Sequence, residues 1–253
     1  MLGSKMRLFC KVSYKGNRYS GWEKQLDDLT IQGEIEKAIS QILNVPVTIY
    51  ASGRTDAEVH AYGQTFHFDV EESKYELGEL KYRLNCVLPA DIKILSIEEV
   101  NEDFHARFSA VSKEYLYKIS LAAKDPFKYD RYWMLKSSEF DFALFKEALN
   151  LFVGVHNYKN FTSKEDDKNN YVREIYEINA DFDRENEEII VFLKGNGFMR
   201  YQIRFMVGSA IAVATKKEDI SYIKERLDSE KRRAISSYKG HPQGLYLLKV
   251  NYK

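Results

Sequence analysis

Residues 6–14 read Met6-Arg-Leu-Phe-Cys-Lys-Val-Ser-Tyr14, and the alternation within them sets the frame for the fold. Apolar and other groups recur with period two, which predicts a strand with one buried face. Working outward, residues 31–43 place Ile31, Ile35, Ile39, Ile42 and Leu43 on one helical face, with Thr30 as N-cap. Residues 46–52 and 63–70 read as strands, 75–85 as a helix and 91–99 as another strand. The order is β-α-β-β-α-β. The rest of the chain repeats it, with strands over 107–121, 171–182, 187–194 and 245–252, and helices over 139–153, 198–215 and 219–228. These patterns predict an α+β fold of two tandem ferredoxin-like halves, 1–103 and 104–253. Joined edge to edge, the halves would form one continuous antiparallel sheet with helices on one side and a central cleft.

The chain has 253 residues, enough for one large domain or two small ones with a real core. No apolar run approaches the ~18–20 residues that cross a bilayer, so no membrane role is expected. Cys10 and Cys86 are too few for a disulfide scaffold or a four-thiolate zinc site, and they fit a reducing cytoplasm. Charge is balanced, with 38 Lys and Arg against 38 Asp and Glu, but it is segregated. Residues 1–24 carry six basic groups and one acidic; residues 194–253 carry thirteen basic and five acidic. The middle is acidic. If the two ends meet, they form a basic face able to hold phosphates. Lys231, Arg232 and Arg233 belong to that face or are a solvated helix end.

The densest polar cluster is Ala51-Ser-Gly-Arg-Thr-Asp-Ala-Glu-Val-His60, between two strands. Gly53 permits a tight turn, and Asp56 in such a loop can be a turn residue, an N-cap, a metal ligand or a nucleophile. The five histidines, His60, His67, His105, His156 and His241, lack metal-ligand spacing, and no phosphate-binding or dinucleotide-binding glycine motif occurs. Neither a metal nor another cofactor is expected. Arg200 and Arg204 stand at i and i+4 on one face of an otherwise apolar helix, where a cation needs a partner; a carboxylate is the natural one. Tyr115 and Tyr117 share a strand face beside Lys113, a setting suited to base stacking as well as to a core.

Taken together, these residues resemble the tRNA pseudouridine synthase A (TruA) family. Tyr14-Lys-Gly-Asn-Arg-Tyr-Ser-Gly-Trp22 resembles the family's opening Y-D-G-x-x-Y-x-G-W, and Thr30-Ile-Gln-Gly-Glu34 its T-V-Q-G-x-L-E helix start. Gly53-Arg-Thr-Asp-Ala-Glu-Val-His-Ala-Tyr-Gly-Gln64 is similar to the signature G-R-T-D-A-G-V-H-A-x-G-Q. Further matches follow in order: Phe104 to Ala110, Lys113 to Tyr115, Phe161 to Ser163, Arg173 to Ile175, Met199 to Gly208 and Gly244 to Leu247. The resemblance implies the tandem fold, a homodimer, and isomerisation of uridine to pseudouridine in the anticodon stem-loop of tRNA at positions 38 to 40. It implies no cofactor. It casts Asp56, Tyr115 and Arg204 as catalytic. Asp56 would react, Arg204 would hold it ionised and oriented, and Tyr115 would stack on the flipped uracil. Arg54, Arg200, Lys113, Arg107, Gln64 and Tyr115 would bind the RNA.

Three positions depart from the pattern: Lys15 for Asp, Glu23 for Gln and Glu58 for Gly. If the last needs a positive φ, Glu58 costs about 1 kcal/mol or more. These departures leave open a paralogue acting on another structured RNA such as ribosomal RNA; rivals from other classes are a non-catalytic RNA-binding protein and a glycosidase-like hydrolase using Asp56 and Glu58 as a carboxylate pair.

Overall fold

The computed structural model describes residues 5–71, 74–122, 124–136, 139–163, 170–228 and 233–253. Its regular elements in chain order are β1 (Met6–Tyr14), α1 (Ile31–Leu43), β2 (Tyr50–Ala51), β3 (His60–Val70), α2 (Leu77–Val87), β4 (Ile92–Val100), β5 (Ala110–Ser120) and β6 (Trp133–Met134). They continue with α3 (Phe142–Asn150), β7 (Gly154–Asn157), β8 (Val172–Asp183), β9 (Glu188–Gly195), α4 (Gln202–Ala214), α5 (Ser221–Leu227) and β10 (Leu245–Tyr252). The chain forms two units: one runs to Val111 and takes back Tyr246–Lys253, the other spans Ser112–Leu245. The class is α+β, and strand pairing is mostly antiparallel.

In the first unit the order β-α-β-β-α-β is the one expected. β1 lies between β3 and β4, antiparallel to both, and Leu8, Cys10, Val12 and Tyr14 turn to the buried side. α1 begins where Thr30 Oγ1 accepts the Gly33 amide at 3.2 Å and ends at Asn44 in the left-handed region. Its Ile31, Ile35, Ile39 and Leu43 are buried, as their spacing requires. Glu36 is buried on the same helix because its carboxylate accepts from Gln32 Nε2, the Ile49 amide and Lys24 Nζ. β10 pairs with β3 in parallel, Tyr246 beside His60 and Leu247 beside Ala61, so the chain's last strand completes the first unit.

The second unit carries the antiparallel run β5-β9-β8-β7, with β6 parallel to β5. β6 and β7 are too short, at two and four residues, to leave a periodic trace in sequence. The turn at Asp183 is the polar one expected: its carboxylate accepts the amides of Glu185 and Asn186. α3 is capped by Asp141, which accepts the Leu144 amide at 3.0 Å, and packs on α4 and β8. Every residue of α4 is buried, which explains its near-continuous apolar sequence. No described helix is long and apolar enough to cross a membrane.

β5 begins three residues later than the alternation suggested. Residues 104–109 instead turn: the Ser109 amide donates to the His105 carbonyl, and the His105 amide to Ser109 Oγ. This turn is anchored on β3 by the Ala106 amide, which donates to His67 Nδ1 at 3.2 Å. Arg7 strengthens the anchor, pairing Asp69 through two contacts and donating to the carbonyls of Glu102 and Phe104. Burial lowers the His67 pKa to about 4, helped by the nearby His105 and Arg7 and opposed by Asp69. An unfolded histidine titrates near ~6.5. Between those values the unfolded chain binds a proton that the folded chain does not, so stability falls as pH falls through that window. His67→Asn, which keeps an acceptor but no titration, should show a shallower loss of urea midpoint than wild type between pH 7 and 4.5. Parallel declines would contradict this.

Candidate active site

Asp56 sits half-buried on a loop that is fastened on both sides. On one side it lies against residues 14–22. The Trp22 amide donates to the Thr55 carbonyl at 3.1 Å, and the Glu58 amide to the Tyr19 carbonyl at 3.2 Å. Tyr14 and Thr55 share a buried hydroxyl bond of 2.8 Å, and the Gly16 amide donates to His60 Nδ1 at 3.0 Å. The approach is close enough to exclude side chains. A Cβ on Gly21, whose φ is +102°, would lie 2.8 Å from the Thr55 carbonyl oxygen and 3.1 Å from the Ala57 nitrogen. On the other side stands Gln64, wholly buried. Its Oε1 accepts from Ser52 Oγ and the Thr65 amide, and its Nε2 donates to the Gly53 carbonyl. Within the loop the Val59 amide closes on the Asp56 carbonyl at 3.2 Å. Arg54 points outward, its side chain 71% exposed, and pairs with Glu23 at 2.6 Å.

Tyr115 and Arg204 belong to the second unit. Tyr115 lies on β5 opposite Leu193, nearly buried, with Phe198 edge-on at 5.1 Å. Arg204 is buried in the first turn of α4. Its Nε donates to the Gly240 carbonyl at 2.8 Å, and the Gly240 amide donates back to the Arg204 carbonyl at 2.9 Å. Gly208 makes this exchange possible, since a Cβ there would lie 2.6 Å from the Tyr238 carbonyl oxygen. Ser209 and Ser236 share a further buried bond of 2.8 Å across the same crossing.

The remaining expected site residues fall in three kinds of place. Arg107 is exposed in the 104–109 turn, its guanidinium 5.8 Å from the Phe108 ring centroid. Lys113 is half-buried on β5, opposite Gly195. Arg200 is exposed and precedes α4, so the expected helical i, i+4 relation to Arg204 is corrected. Tyr201 adopts φ +63° and stops the helix from extending back to Arg200. Both cations instead flank the Tyr201 ring, at 4.8 and 5.0 Å. Of the terminal basic run, Lys231 and Arg232 lie outside the described residues. Arg233 bonds inward, donating to the carbonyls of Lys159 and Thr162. Among the described residues, no three His, Cys, Asp or Glu side chains group as a metal site would require. Sequence reasoning missed the left-handed Tyr201, for which a bulky aromatic gives no signal, and the clamping use of Gln64.

The first unit thus presents a carboxylate on a fastened turn, and the second a nearly buried tyrosine and a buried arginine. A family model described as tRNA pseudouridine synthase matches residues 11–109 and 148–253. The chain is 36% identical over 247 residues to a tRNA pseudouridine synthase A of Geobacillus sp. (strain WCH70), covering 97% of this chain and 98% of the relative. It is 38% identical over 248 residues to one of Exiguobacterium sibiricum, covering 98% and 97%. A third, from Mycoplasmoides gallisepticum, is 35% identical over 243 residues, covering 96% and 89%. The chain belongs to the tRNA pseudouridine synthase family.

Glu58 resolves one question raised by the sequence. Its φ is +66°, so this turn does place a non-glycine residue in the left-handed region. Glu58→Gly should raise stability by about 1 kcal/mol, read as a higher urea midpoint at unchanged m-value. A lower midpoint would show that the Glu58 side chain offsets the strain.

Proposed function

We propose that this chain isomerises uridine to pseudouridine in tRNA, in the anticodon stem-loop at positions 38 to 40, acting in the cytoplasm as a homodimer. The observation that carries the reading is the Asp56 loop, whose backbone is fastened at Thr55 by Trp22, at Glu58 by Tyr19 and at Gly53 by Gln64 while Asp56 stays half-buried. The names of relatives that match this chain nearly end to end support tRNA over another structured RNA.

The reaction explains the residue types. The N1–C1′ bond breaks, the uracil rotates, C5 bonds to C1′, the C5 proton leaves and N1 gains one. No electrons are gained or lost overall. Asp56 attacks the base or C1′, or takes a sugar proton; Tyr115 stacks on the flipped uracil and assists loss of the C5 proton; Arg204 supplies the positive charge that keeps a carboxylate reactive at neutral pH. Unstacking the base costs roughly a few kcal/mol, offset by stacking and phosphate contacts. Arg54 and Arg107, both exposed, are suited to the RNA backbone or to the space the base leaves. Lys113 adds a cation on the Tyr115 strand, and Gln64 acts through the loop it clamps. A buried glutamine with its amide committed to Ser52, Gly53 and Thr65 fits that positioning role.

Asp56→Asn should abolish release of tritium from tRNA labelled at uridine C5, while tRNA binding persists. Retained turnover would overturn the role of Asp56. Glu23→Gln, which removes the partner of Arg54, should tighten tRNA binding a few-fold by freeing a cation for phosphate. Weaker binding would show that the ion pair presents Arg54 rather than competes for it.

A further inference from the structure

Three cations of the second unit gather at Tyr201. The Lys239 ammonium lies 4.5 Å from its ring centroid, the Arg200 guanidinium 4.8 Å and the Arg204 guanidinium 5.0 Å. Arg200 Nη2 also donates to the Tyr201 hydroxyl oxygen at 2.9 Å. Arg200 and Lys239 are both exposed, and neither has a carboxylate partner among the described residues. Among the described residues, each side chain is held by the tyrosine alone. The ring's negative face attracts cations, but cations collected on one ring repel one another. Arg200 and Lys239 bring two positive charges that no described carboxylate pairs, and such a place is poised for an anion.

The backbone is shaped to the same end. Tyr201 holds φ +63°, which bulky residues rarely adopt and which persists only where the surroundings impose it. That break separates Arg200 from α4 and lets it bond the phenol of its own neighbour. The Thr162 hydroxyl fixes the turn from below by donating to the Arg200 carbonyl at 2.9 Å. Lys239 arrives from the segment that crosses α4 at Gly208, one residue before the Gly240 bonded to Arg204. Two exposed cations are thereby presented from two different segments, beside a hydroxyl that can donate as well as accept.

We infer that Arg200 and Lys239 clamp one backbone phosphate of the RNA, with Tyr201 as the residue that positions both and offers its hydroxyl to a phosphate oxygen. The inference rests on the RNA-modifying reading above and adds to it a phosphate subsite and the residue that organises it. An arginine with forked donors and a lysine with a compact charge suit a phosphate better than a base edge.

The test uses the full chain, an unmodified tRNA transcript and anisotropy titrations from 50 to 300 mM KCl. Lys239→Gln should raise Kd roughly three- to tenfold and lower the slope of log affinity against log salt by about 0.7–0.9, the loss of one phosphate contact. Lys239→Arg should retain the slope. Tyr201→Asn keeps a residue that tolerates positive φ but removes the ring, and should lower the slope by a similar amount. Unchanged affinity and slope in Lys239→Gln would overturn the clamp whether or not Tyr201→Asn folds. Wild-type protein that forms pseudouridine while Lys239→Gln binds normally sinks the clamp alone. Wild-type protein that forms none while Lys239→Gln loses the slope sinks the enzymatic reading and leaves the clamp standing.

Discussion

The first unit depends on a backbone approach that has no room for a side chain. Gly21 touches the Asp56 loop so closely that a Cβ would overlap the Thr55 carbonyl. The neighbouring Trp22 uses both its main-chain groups there, its amide on Thr55 and its carbonyl accepting the Gln32 amide at 2.9 Å. The start of α1 and the Asp56 loop are thus tied to the same two residues. From the other side, the buried amide of Gln64 fastens the loop to the β3 strand that carries it. The main chain around Asp56 is thereby fixed from both sides, so it has little backbone freedom left to lose.

The second unit uses the same device. Gly208 on α4 allows the 236–240 segment to cross at contact distance, and the crossing delivers the Gly240 carbonyl to Arg204 and Lys239 to Tyr201. Burying a guanidinium in an apolar helix is costly unless its donors are met. The exchange of bonds between Arg204 and Gly240 meets one donor and orients the group.

Much of this was legible in the sequence, for specific reasons. The strand β1 and helix α1 were readable because one face of each is buried and their periods differ. The Glu58 turn was flagged because only glycine adopts positive φ without cost, and the structure places Glu58 there. Short pairings such as β6 and β7 were not legible, because two to four residues carry no period. The parallel seat of β10 on β3 was hidden because pairing partners distant in sequence leave no local mark. Arg200 and Arg204 were read as neighbours on one helix. They are neighbours through the Tyr201 ring instead, because a left-handed tyrosine is invisible to propensity. Arg233 read either as part of a basic face or as a solvated helix end; its guanidinium donates to the carbonyls of Lys159 and Thr162.

The central claim is that a fixed carboxylate drives an isomerisation with no net gain or loss of atoms. Its most direct measurement is a nucleoside inventory of a tRNA transcript incubated with the purified chain and no added cofactor. The account predicts that each uridine lost from the anticodon stem-loop appears as one pseudouridine, with no free uracil. Free uracil with an abasic site, or an unchanged nucleoside inventory despite tight binding, would contradict it.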